Sequence, residues 1–63
     1  MWPIAKKYET QCILKDTGSV ISQRVFEAIN KDEAEARAYL NCVKENNNKR
    51  NVFVKVKKVL FVH

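Results

Sequence analysis

The sequence predicts an α+β domain in which one helix packs on a three-stranded antiparallel sheet, with elements in the order β-β-α-β. Three observations predict this fold. Polar and apolar residues alternate over residues 7–15, a helix start lies at residues 30–36, and apolar extended segments at 20–28 and 51–62 flank the helix. The length of 63 residues predicts a single small domain. A domain of this size buries only about 60% of the surface that its unfolded chain exposes.

The first predicted strand has one buried face. Alternate residues of the strand face opposite sides of the sheet. We expect the helix side to carry Tyr8, Thr10, Cys12 and Leu14, and the other side to carry Lys7, Glu9, Gln11, Ile13 and Lys15. The following segment, Asp16-Thr17-Gly18-Ser19, combines a turn former with a glycine that accepts positive φ. It predicts a short hairpin loop to the second strand.

The second predicted strand, residues 20–28, has an ambiguous register. Phe26 and Ala28 suit the helix side, whereas Ile21 and Val25 have the opposite parity. Two alternatives remain open, a bulge near residues 22–24 or a strand with apolar residues on both faces.

The predicted helix runs from Lys31 to about Asn46. Asn30 is a good N-cap, and Glu33 is placed to reach back to the Asn30 N–H in a capping box. Asp32, Glu33 and Glu35 add negative charge at the positive end of the helix dipole. These capping and dipole roles explain the three carboxylates, so a catalytic role is not needed to account for them.

The helical period predicts which side of the helix is buried. At about 100° per residue, the buried stripe contains Ile29, Ala36, Tyr39, Leu40 and Val43. The opposite side, which we expect in solvent, contains Ala34, Arg37, Ala38, Asn41 and Glu45.

The third predicted strand, about Asn51 to Val62, has large apolar residues on both parities, and Lys57-Lys58 marks a bulge or bend. A right-handed crossover after the hairpin gives the sheet order 2-1-3. The third strand is then an edge, through which the sheet could be extended or the chain could dimerise.

Net charge is +5, and it is unevenly distributed. The helix region is acidic, while both end segments are basic, the last twenty residues most of all. This polarity suits an acidic partner, either nucleic acid or an acidic protein surface.

Cys12 and Cys42 lie thirty residues apart and match no zinc or redox spacing. Residues 1–5 are too short for a secretion signal, and Lys6-Lys7 follows them instead of preceding them. We therefore expect reduced thiols in a cytoplasmic protein, with a disulfide as the alternative. We expect no membrane span.

The residue inventory argues against an enzyme. The sole histidine is His63, so no Ser-His-Asp, Cys-His or metal-ligand set can be assembled, and Gly18 alone makes no phosphate loop. We expect no catalytic, metal or cofactor site, and no small-molecule substrate.

The sheet face turned away from the helix is the candidate functional surface. We predict a protein or homodimer interface at Ile13, Val25, Phe53, Val59 and Phe61, because apolar residues exposed among lysines usually mark an interface. The alternative is RNA or single-stranded DNA stacking on the aromatic rings. Contacts to phosphates or to an acidic partner would come from Lys7, Lys15, Lys49, Arg50, Lys55 and Lys57.

The segment Ala28-Ile29-Asn30-Lys31-Asp32-Glu33-Ala34, with the hairpin before it and the strand after it, resembles two groups of small proteins. One is a group of archaeal ribosomal proteins, and the other is the short early proteins of bacteriophages that inhibit host RNA polymerase. The resemblance implies a small non-enzymatic binder, such as a phage-type accessory or inhibitor protein. It implies no functional residue.

Overall fold

The computed structural model describes the backbone of residues 5–60 and the side chains of residues 5–57. Three strands and one helix follow in the predicted order: β1 is Lys6–Leu14, β2 is Val20–Ala28, α1 is Lys31–Glu45 and β3 is Val52–Leu60. The sheet is antiparallel with strand order β2-β1-β3, and α1 packs against it. The predicted α+β fold and strand order are confirmed.

The hairpin between β1 and β2 contains the bulge that the sequence left open. Gly18 has φ of 74° and donates to the Leu14 carbonyl at 2.9 Å, as the loop prediction requires. Cys12 pairs with Ser22, but the next residue of β1, Ile13, pairs with Val20. Ile21 is therefore the extra residue of a bulge, which lies just before the predicted position.

A second register shift lies where Lys57-Lys58 predicted a bulge or bend. Thr10 pairs with Val56, whereas Tyr8 pairs with Val59, so β3 carries one more residue than β1 between these pairs. The extra residue of β3 lies between Val56 and Val59, the segment that contains Lys57-Lys58.

The ends of α1 follow the predicted chemistry. The Asn30 Oδ1 accepts from the Glu33 N–H at 2.8 Å, and the Glu33 carboxylate accepts from the N–H of Ile29, at 3.3 Å, instead of that of Asn30. At the other end, Asn47 and Asn48 take φ of 56° and 62°. These left-handed residues end the helix one residue earlier than predicted.

The predicted buried face of the helix is wrong for three of its five residues: Tyr39 and Val43 pack on the core as predicted, whereas Ile29, Ala36 and Leu40 are exposed. Ala34, Ala38 and Cys42, spaced four residues apart, are the buried residues of α1, whereas Leu40 is 69% exposed and Ile29 44%. At about 100° per residue, the observed stripe is centred roughly 150° from the predicted one. Small side chains let the helix approach the sheet closely, so Ala34, Ala38 and Cys42 form the centre of the contact, and Tyr39 and Val43 pack at its margin.

The expectation of two reduced thiols is also wrong. Cys12 of β1 and Cys42 of α1 form a disulfide, with Cα atoms 5.3 Å apart. The bond lies in the core, where Cys12, Cys42 and Val52 are buried, with Leu14, Tyr39, Val43 and Val54 packed around them. A second cluster, Tyr8, Ala28 and Ala34, fills the other end of the interface. The disulfide fixes which side of α1 faces the sheet.

Candidate functional site

The open face, the side of the sheet turned away from α1, carries an apolar row near the hairpin. Cys12 is bonded to the helix, so its neighbour Ile13 points to the open face, and the register places Val20 and Phe53 on either side of it. Val20 is 50% exposed and Phe53 42%, while Ile13 is only 7% exposed. The two flanking side chains therefore form the accessible apolar surface.

Polar residues form the next row of the open face. Gln11 pairs with Gln23 on one side and Lys55 on the other. Beyond them, Val25, 51% exposed, lies opposite Glu9, whose carboxylate accepts from the Gln23 amide. The open face thus alternates apolar positions with amides and single charges.

The predicted interface residues have different outcomes. Val25 and Phe53 are exposed on the open face, whereas Ile13 lies on the same face and is only 7% exposed. Val59 pairs with Tyr8 in the backbone register, and its side chain lies outside the described ones. Phe61 lies outside the described residues. A role in an interface stays a prediction for all of them.

Val20 is an interface candidate that sequence reasoning missed. Val20 has the same parity as Phe26 and Ala28, which suit the helix side, and the bulge at Ile21 moves it to the open face. The apolar residues of both parities within residues 20–28 indicated that β2 could contain a bulge, but they did not show which residue is the extra one.

The predicted basic contact residues separate into two groups. Lys15, Lys49 and Arg50 are exposed near one end of the sheet, where the Lys15 N–H donates to the Asn51 carbonyl at 2.9 Å. Lys55 and Lys57 are exposed on β3, and Lys7 is half-buried on β1. The structure therefore does not gather the six residues into one patch.

A polar network joins the helix to β2. The Glu45 carboxylate accepts from Arg24 at 2.8 Å, from Ser22 at 3.0 Å and from Asn41 at 2.7 Å. The hydrogen bond from Arg24 is the main reason that the pKa of Glu45 lies below its ordinary value, and it raises the pKa of Arg24. Arg37 adds a hydrogen bond to the Glu27 carbonyl at 3.0 Å.

Within the described part of the chain, no group of three or more His, Cys, Asp or Glu side chains is placed to hold a metal ion. The single helix described is neither long nor apolar enough to cross a membrane. Comparison with protein-family models, curated proteins and solved structures finds no match to this chain. The resemblance of residues 28–34 to ribosomal and phage proteins stays a prediction.

Proposed function

We propose that this protein is a non-enzymatic binder that holds another protein against the open face of its sheet. The observation that carries the proposal is the exposure of Val20, Val25 and Phe53 on a face that no described element covers. Apolar surface left in water favours association, because its burial against a partner releases it from solvent.

The composition of the open face suits a protein partner. Its accessible apolar residues are mostly aliphatic, and Gln11, Gln23 and Lys55 lie between them. Interfaces between proteins combine an apolar centre with polar groups that hydrogen-bond across the contact. The amide side chains can donate and accept, which suits a peptide backbone or polar side chains.

The test compares capture of partner proteins by the wild-type chain and by Val20→Glu or Phe53→Glu. Both variants place a charge in the apolar row, and we expect the captured partner to be lost. Ile29→Glu is the matched control, since it puts the same side chain at an exposed apolar position between β2 and α1, away from the open face. Circular dichroism checks that each variant is folded. Retention of the partner by both open-face variants would refute the proposal.

Single-stranded nucleic acid is the second candidate, favoured by the exposed ring of Phe53 two residues before Lys55. Glu9 and Glu27 share the open face with these residues by register, and they would repel phosphates. Fluorescence anisotropy with a labelled single-stranded oligonucleotide tests it. Binding that weakens with salt and with Lys55→Ala would favour this candidate, and no binding at low salt would exclude it.

The phage-type accessory role and the cytoplasmic location stay predictions. The location was argued partly from reduced thiols, and that support is lost because Cys12 and Cys42 form a disulfide. Structural disulfides persist mainly in oxidising compartments. Mass spectrometry of the chain alkylated directly on cell lysis tests the cysteine state that a cytoplasmic location requires.

A further inference from the structure

A groove runs between α1 and β3, on the side of the helix away from β2. Its volume is about 550 Å³, and a neighbouring hollow of about 370 Å³ continues it. The groove is lined by Lys15, Asp32, Glu35, Ala36, Tyr39, Val52, Phe53 and Val54. The hollow shares Tyr39 with it and is also lined by Leu40, Val43, Lys44, Asn48 and Arg50. Apolar residues thus lie between acidic and basic side chains.

The floor of the groove ends at a free strand edge. Among the described strands, β3 pairs only with β1, so its outer N–H and C=O groups have no strand partner. An unpaired edge of this kind is a template for a further strand. The other edge, β2, is interrupted by the bulge at Ile21, and Arg37 already donates to the Glu27 carbonyl.

We propose that a second copy of this chain adds its own β3 to this edge, antiparallel, to form a symmetric dimer with one continuous sheet. A two-fold axis perpendicular to the sheet keeps both helices on the same face, on either side of the seam between the two β3 strands. The seam adjoins the open face and shares Phe53 and Lys55 with it, whereas Val20 and Val25 lie away from the seam on β2, and the proposal does not depend on the proposed function. The sequence predicted an edge of this type and a homodimer.

The side chains of β3 favour one register. With Val54 on the two-fold axis, Val52 lies opposite Val56 of the second copy, and Phe53 lies opposite its Lys55. Aliphatic side chains then pair on the helix side, and a ring meets a cation on the open face. With Lys55 on the axis, two lysines would lie directly opposite each other, which is unfavourable.

The same register brings opposite charges together. Ala34 packs in one cluster with Tyr8 and Val56, so Glu35 lies at about the level of Val56 on β3. In the antiparallel dimer, Val56 lies opposite Val52 of the second copy, and Lys49 and Arg50 come just before that residue in the chain. Each acidic helix start therefore faces a basic loop, and symmetry makes this contact twice.

The exposed leucine of the helix lies beside the seam. Cys42 is bonded to Cys12, which pairs with Val54, so the last turns of α1 lie at the level of the proposed axis. Leu40, at 69% exposed, is in those turns and lines the hollow. The dimer brings the helix of the second copy beside this hollow, where Leu40 lies next to Tyr39 and Val43.

The first test is the mass in solution of the full chain, by sedimentation equilibrium from about 1 μM to about 1 mM. We expect a concentration-dependent shift from monomer to dimer. Leu40→Glu should weaken the dimer at least about tenfold, whereas Val20→Glu should leave it unchanged. A monomer throughout this range, or a dimer weakened by Val20→Glu and not by Leu40→Glu, would overturn the proposal without affecting the proposed function.

The second test exchanges the charges across the seam. Glu35→Lys alone and Arg50→Glu alone should each weaken the dimer by roughly tenfold, since each change replaces two attractive contacts with repulsive ones. The two changes in one chain should restore it. Glu27→Lys makes the same charge change away from the seam and serves as the control. Failure of the double variant to recover would reject the register.

Discussion

The two flanks of the helix are built differently. On the β2 flank, Glu45 accepts from Ser22 and Arg24, and Arg37 reaches the Glu27 carbonyl. On the β3 flank, the contacts are apolar, and a groove of about 550 Å³ separates the outer part of α1 from the strand edge. One flank is closed by directional hydrogen bonds, and the other is open.

This difference shows how a very small domain can orient its helix and still leave a binding surface. Hydrogen bonds and ion pairs fix the direction of α1 on one side, while the disulfide from Cys12 to Cys42 fixes its rotation at the centre. On the other side, the inner part of α1 packs on β3 through Tyr39 and Val43, and its outer part needs no contact with the strand edge. The exposed apolar residues Leu40 and Phe53 remain available there for a partner.

Removal of the disulfide should have the largest effect on stability, because the contacts on both flanks of α1 depend on it. The Cys12→Ala, Cys42→Ala double variant should lose about 3–4 kcal/mol of unfolding free energy, since the bond closes a loop with a sequence separation of 30. Urea denaturation followed by circular dichroism measures the loss. Treatment of the wild-type chain with a reductant should give a matching loss, and an unchanged midpoint in both would contradict the prediction.

A larger side chain under the helix should disturb both flanks together. Ala38 is 4% exposed where α1 meets the sheet, so Ala38→Leu should cost about 1–3 kcal/mol through overpacking. Ala36→Leu is the matched control, and it should change stability by no more than about 0.5 kcal/mol because Ala36 is exposed. Both values come from denaturant midpoints. Equal effects at the two positions would mean that the helix face is not the one described.

Loss of the N-cap tests the start of the helix, where the groove has its acidic end. Asn30→Ala removes the oxygen that accepts from the Glu33 N–H at 2.8 Å, and it should cost about 1 kcal/mol. Asn30→Asp keeps an acceptor and should retain most of the stability. Thermal unfolding monitored by circular dichroism compares the three chains, and equal losses in both variants would rule out the capping role.

The smallest effect on stability should come from protonation of Glu45 at low pH, which weakens its contacts with β2. The pKa of Glu45 is lowered in the folded chain, so its contribution to stability is present above the ordinary value near 4.5 and is lost as pH falls through the folded value. Glu45→Gln should therefore lose less stability than the wild-type chain on acidification.

Arg24→Gln is the matched variant, because it removes the main cause of that pKa shift. The two variants should show the same reduced dependence on pH when denaturant midpoints are measured between about pH 6 and about pH 3. If both variants keep the pH dependence of the wild-type chain, the ion pair between Arg24 and Glu45 does not stabilise the contact between the helix and β2.

The order of elements, the turn at Gly18, the helix caps and the bulge at Lys57-Lys58 could be predicted from the sequence, because each depends on neighbouring residues. The buried side of α1 could not, since hydrophobicity favours Leu40 over Ala34, Ala38 and Cys42. The pairing of two cysteines thirty residues apart also depends on a contact that only the folded chain creates.

The candidate site was predicted in part for the same reason. Parity correctly assigned Val25 and Phe53 to the open face, since no irregularity separates either residue from the centre of its strand. Parity could not place Val20, which lies beyond the bulge at Ile21, and it could not show that Ile13 is covered by its neighbours.

The sequence by itself determined the α+β class and strand order of this protein, because alternation, turn chemistry and capping act over a few residues. Tertiary structure alone decided the rotation of the helix, the register beyond each bulge and the position of the groove. These depend on how closely small side chains let α1 approach the sheet and on the bond from Cys12 to Cys42, which joins segments that are distant in the chain.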